Sequence, residues 1–125
     1  MSRILAKLAI SIYCVGLASA QNPPETPVIQ VLALGHITPG TKPEQIRPIM
    51  RQEVEDTVRL HLAGKIRQWW SRRDKQGVVF LLEASSVEQA SKLLADLPLV
   101  KAGILGFDFV PLAPLNPLNY LLRTE

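Results

Sequence analysis

The chain has 125 residues, 47% of them hydrophobic and 20% charged, with a formal net charge of +3. That length allows one domain, and the composition is that of a folded globular chain. Without Arg3 and Lys7 the charge falls to +1, too near neutral for the basic stripe on which nucleic-acid binding depends.

Those two cations open a segment that stands apart from the rest. Leu8 to Ala18 is an apolar run without a charge, and Ala18-Ser19-Ala20 supplies the small residues that a signal peptidase reads. Residues 1–20 are therefore expected to be a cleaved signal peptide, and the protein to be exported to a periplasm or the exterior. The run is about half the ~20 apolar residues that a membrane span needs, so no stable anchor is expected after cleavage. Cys14 is the single cysteine and leaves with the signal. The mature domain then has neither a disulfide nor a thiolate metal site, and its core alone must hold the fold.

Residues 21–27 form a polar leader with Pro23, Pro24 and Pro27, expected to be an extended tether. Val28 to His36 is rich in β-branched and apolar residues and predicts a strand, closed by the turn Thr38-Pro39-Gly40. Thr41 and Glu44 have capping-box spacing, with Pro43 in the first helical turn. A helix is predicted from there to about Ala63, with Gly64 as its stop. Its apolar stripe reads Ile46, Met50, Val54, Val58 and Leu62, widened by Ile49 and Thr57.

Lys65 to Arg73 and Val78 to Ala84 predict two strands joined through Asp74-Lys75-Gln76-Gly77 as an antiparallel hairpin. Ser85 and Glu88 form a second capping-box pair, opening a helix that ends at Pro98. Gly106 to Leu112 predicts a fourth strand. The tail, residues 113–125, carries Pro114 and Pro117 and is expected to lack regular structure. The order β-α-β-β-α-β over residues 28–112 is the ferredoxin-like arrangement, an α+β sandwich with two helices on one face of a four-stranded antiparallel sheet.

Residues two apart on a strand share a face. Leu32 and Leu34 oppose Val31 and Ala33 in the first strand, and Val79 and Leu81 oppose Val78, Phe80 and Leu82 in the third. Both faces are apolar, yet two helices cover only one. Each large aliphatic side chain left in water forgoes ~1.5–3 kcal/mol, so a partner surface is expected. The expected solution is a homodimer, sheet against sheet, enclosing a barrel-like space for a small organic ligand; a monomer capped by the tail is the alternative. Parity puts Arg67 with Trp69 on one face of the second strand, and Gln68 with Trp70 on the other.

The run Gly64-Lys65-Ile66-Arg67-Gln68-Trp69-Trp70, the stretch Leu93-Leu94-Ala95-Asp96-Leu97-Pro98-Leu99 and the closing Asp108-Phe109-Val110-Pro111-Leu112 resemble muconolactone Δ-isomerase and its wider domain family. Glu53 and Arg59 match charged positions on that family's first helix, and Lys65, Arg67 and Trp70 match its second strand. The likeness covers residues 28–112. It implies a dimeric α+β barrel and a proton-transfer isomerase acting on an unsaturated lactone or related acid. A non-catalytic binding or accessory module is the alternative.

Such a reaction needs a base against the carbon acid and a group to receive the developing oxyanion. Glu53 and His61, at the edge of the first helix's apolar stripe, are the candidate bases. Arg67 is the candidate for holding a ligand carboxylate, or else for pairing with Asp108, because an arginine among aromatics in a strand is costly unless paired. Trp69, Trp70, His36 and Asp108 complete the candidate binding set. Two histidines without a mature cysteine give no metal-ligand spacing, no phosphate loop or serine elbow is present, and no cofactor is expected. Arg72, Arg73 and Lys75 read as a solvated hairpin tip.

Overall fold

A computed structural model describes residues 27–122. The expected signal peptide and leader residues 21–26 lie outside the described residues. The elements are β1 (Gln30–Ile37), α1 (Pro43–Leu62), β2 (Ile66–Ser71), β3 (Val78–Leu82), α2 (Val87–Leu94), α3 (Pro98–Lys101), β4 (Leu105–Leu112) and a 3-10 helix (Asn116–Leu121). The four strands form one open antiparallel sheet in the order β2-β3-β1-β4. The helices pack on it, α1 against β2 and α3, α2 against β1 and β4. This is the ferredoxin-like α+β sandwich that the element order predicts.

The strand faces separate as their alternation requires. Val31, Ala33, Phe80 and Leu82 are buried under the helices with Ile66, Ala90, Leu94 and Leu97, while a second cluster joins Ile46, Leu99, Ile104 and Leu105. On the other face, Leu32 stands opposite both Leu81 and Val110, and Leu34 opposite Val79. These five make a continuous apolar strip in which Val110 is exposed and the other four are half-buried.

Four local expectations need correction. The first helix is capped at Lys42, whose N–H donates to Gln45 Oε1 at 2.8 Å, while the Thr41 hydroxyl turns back to the Thr38 carbonyl. The second is capped at Ser86, whose Oγ accepts the Gln89 N–H, because the side chain must reach the amide three residues on. Pro98 does not stop a helix but opens the short α3, where its missing N–H costs nothing. The tail holds a 3-10 helix, with Leu115, Tyr120, Leu121 and Leu122 exposed.

Helix α1 departs from its predicted stripe for a geometric reason. At 3.6 residues per turn, steps of four residues advance by about 40° each, so the row from Ile46 to Leu62 rotates by about 160°. Leu62 ends 78% exposed, and Met50, Val54 and Val58 are also exposed. The face that meets the protein is instead Ile46, Ile49, Glu53, Thr57 and Leu60. A carboxylate thus occupies the middle of the inward row.

Candidate functional site

A cleft of about 570 Å³ lies between α1 and the helix-covered side of β2 and β3. The space expected for a ligand was on the sheet's open face; the cleft within one chain is on the opposite side. Ile46, Met50, Val54 and Val58 form its α1 wall, and Trp69, Val78 and Phe80 its sheet wall, with Leu99 and Leu105 closing one end. The drift of the α1 row explains the opening. Met50, Val54 and Val58 border the space rather than fill it.

Glu53 is the one ionisable residue among those lining the cleft. It is 5% exposed, the single buried charged residue in the described chain. Its Oε2 accepts the N–H of Leu99 at 2.8 Å, one of the first-turn donors of α3 that lacks a partner within its own helix. Among the described residues no donor is assigned to Oε1, and Glu53 lines the cleft, so Oε1 is the carboxyl oxygen left for an occupant of that space. Burial raises the pKa of the carboxyl, the Leu99 hydrogen bond draws it partly back, and the neighbouring Asp56 adds a further upward push.

Of the two tryptophans, Trp69 pairs with Phe80 on the helix side of the sheet and Trp70 with Val79 on the open side. Both nevertheless line the cleft, since β2 is an edge strand and its rim is shared. A bulge between Ile66 and Gln68 resets the parity of β2. Strict alternation would place Ile66 and Trp69 on opposite faces; the extra residue puts both under the helices.

That bulge also relocates Arg67. Its guanidinium is exposed and lies 3.8 Å from the Glu83 carboxylate, away from the cleft-lining residues. It does not meet Asp108, because β2 and β4 are the two opposite edges of the sheet. Its partner is the exposed Glu83 carboxylate rather than Asp108 or a ligand in the cleft.

His61 does not line the cleft either. Its Nδ1 lies 2.9 Å from the Ile66 carbonyl, and because a carbonyl only accepts, Nδ1 carries the proton. The imidazole sits against the Trp69 indole with ring centroids 4.1 Å apart. His61 thus backs a cleft wall rather than facing its interior. His36 on β1 and Asp108 on the edge strand β4 lie on the side of the sheet away from β2, with His36 Nδ1 3.9 Å from the Asp108 carboxylate. His36 lines a smaller hollow of about 360 Å³ with Thr38, Thr41, Lys75 and Gln76.

One arginine escaped sequence reasoning. Arg72 holds Asp74 with two hydrogen bonds of 2.9 and 2.7 Å and reaches the Gly35 carbonyl of β1 at 3.3 Å. The paired arginine draws the Asp74 pKa down to about 2. The hairpin tip is therefore tied to the sheet centre, beside the cleft mouth. Arg and Asp two apart in a turn was the available signal.

The fold and the cleft define a small α+β sandwich with an apolar, single-carboxyl pocket on the helix side of its sheet. Compared with known proteins, the chain matches no family model and no curated sequence.

Proposed function

We propose that this protein binds a small, largely apolar organic molecule in the cleft and that Glu53 moves a proton within it, shifting a carbon–carbon double bond. The observation that carries this reading is the buried Glu53 carboxyl, with one oxygen held by Leu99 and the other open to an apolar space. A mostly apolar cavity with a few convergent polar groups is the usual form of a small-molecule site. A base that water does not stabilise is a stronger base once ionised.

In this reaction the ionised Glu53 takes a proton from the carbon between a carbonyl and an isolated double bond, giving a dienolate and a neutral carboxyl. The same carboxyl returns the proton to the far carbon, and the double bond moves into conjugation. No oxidant or cofactor takes part. Ser71, Gln76 and the indole N–H groups of Trp69 and Trp70, all on cleft-lining residues, are the side-chain donors available to the dienolate oxygen. The muconolactone isomerase-like resemblance suggests the same reaction type. The domain is further proposed to be exported and to dimerise through the strip of Leu32, Leu34, Val79, Leu81 and Val110.

The test uses a β,γ-unsaturated γ-lactone and follows the absorbance of its conjugated isomer. The wild-type chain is expected to accelerate the conversion and Glu53→Gln to lose at least ~100-fold of that acceleration, with lactone binding retained. Equal rates for the two proteins would remove Glu53 from the chemistry. A second reading, binding without turnover, is favoured by the lack of any cation among the cleft-lining residues to receive an oxyanion. Binding by both proteins with turnover by neither would establish it.

A further inference from the structure

Resting on the reading of the cleft as the ligand site, we infer that its ligand carries no carboxylate: the site selects an uncharged molecule with an apolar body that meets Glu53 through a polarised O–H, N–H or C–H. The sequence likeness points the other way, toward an acid held by Arg67, but Arg67 stands outside the cleft and is paired with Glu83. No lysine, arginine or histidine lines the space. Polar side-chain groups other than Glu53 are those of Thr57, Ser71 and Gln76 and the indole N–H groups of Trp69 and Trp70, all uncharged, and the Thr57 hydroxyl already donates to the Glu53 carbonyl.

A ligand carboxylate would thus enter an apolar space beside a second carboxyl. Either two anions share a site of low polarity, or one of them must take up a proton, and both cost affinity. The surroundings reinforce the bias. Asp56 lies one turn along α1, and the nearby cations are engaged elsewhere, Arg59 with Asp56, Arg51 with Glu55, Arg72 with Asp74. A ligand hydroxyl or N–H, by contrast, gives Glu53 Oε1 the donor that the protein does not supply.

Hydrocinnamyl alcohol and hydrocinnamate form a matched pair differing in this one group. Trp69 and Trp70 are the only tryptophans and both line the cleft, so intrinsic fluorescence of the purified full-length chain reports occupancy. At pH 8 the alcohol is expected to bind at least tenfold more tightly than the acid. Glu53→Gln, which keeps an oxygen for the Leu99 N–H, is expected to bring the two within threefold. Val54→Arg adds a cation at an exposed cleft-lining position and is expected to improve the acid at least fivefold relative to the alcohol.

An acid that binds the wild type as tightly as the alcohol would overturn the inference and leave the cleft standing as a ligand site. If Val54→Arg folds as the wild type does and fails to improve the acid relative to the alcohol, the inference also falls. Binding of neither probe at millimolar concentration would overturn the cleft reading and this inference together.

Discussion

Replacing Gly77 by alanine is the sharpest structural test of how the cleft mouth is built. A Cβ at Gly77 would overlap the Gly35 carbonyl oxygen, and would lie 2.9 Å from the Gly35 carbonyl carbon and 3.1 Å from the His36 Cα. All three atoms are backbone, so no side chain can swing aside. Relief requires the hairpin to move away from β1, which strains the Ile37 N–H bond to the Gln76 carbonyl and the Arg72 bond to Gly35. Overpacking costs about 1–3 kcal/mol, and two weakened hydrogen bonds add about 1 kcal/mol each, giving roughly 3–5 kcal/mol. In a domain of this size each kcal/mol lowers Tm by about 4–8 °C, so a fall of at least ~12 °C is expected. Gly40→Ala is the control, since its φ of +84° carries a conformational cost of about 1–2 kcal/mol but its Cβ meets nothing within 4 Å. Thermal melts followed by circular dichroism measure both. If Gly77→Ala melts within about 4 °C of Gly40→Ala, the close approach of hairpin and β1 is wrong.

The remaining expectations concern charge. Because burial raises the folded-state pKa of Glu53, its proton is held more tightly in the native than in the unfolded chain, and the associated stability is present below pH 4.5 and lost as pH rises through the folded pKa. Urea unfolding of Glu53→Gln and wild type should therefore diverge in favour of the variant as pH rises from 4 to 8; parallel curves would contradict the burial. Asp74 has the opposite sign: its pKa is depressed to about 2, so Asp74→Asn should be less stable than wild type above pH 4, with the difference closing as pH falls through about 2. Arg67→Ala should change stability by less than about 0.5 kcal/mol and leave ligand binding unaltered, since it removes an exposed pair at 3.8 Å. A large loss of binding in that variant would return Arg67 to the site.

Element order was readable because strands and helices here differ in period. Val31 and Ala33 against Leu32 and Leu34 alternate cleanly, and that alternation holds in the register with β3 and β4. The inward placement of Glu53 was half-readable: seven residues after Ile46 it returns to nearly the same helical azimuth, whereas the more visible row of aliphatics four apart drifts out. What could not be read was the bulge after Ile66, because nothing in Ile66-Arg67-Gln68-Trp69 marks where pairing with β3 slips. One extra residue there brings Trp69 under the helices beside Ile66 and leaves Arg67 paired with Glu83 in solvent. The position of Leu99 was equally hidden, since its N–H meets Glu53 across 46 residues of sequence.

Both the proton transfer by Glu53 and the selection of an uncharged molecule require a ligand seated in the helix-side cleft. A titration of the methyl-labelled protein with hydrocinnamyl alcohol, followed by NMR, tests it most directly. Chemical-shift changes are predicted at Ile46, Met50, Val54, Val58 and Leu105, with Leu32, Leu34, Val79 and Leu81 unmoved. Shifts gathered on those last four residues would place the ligand on the open side of the sheet and contradict the site described here.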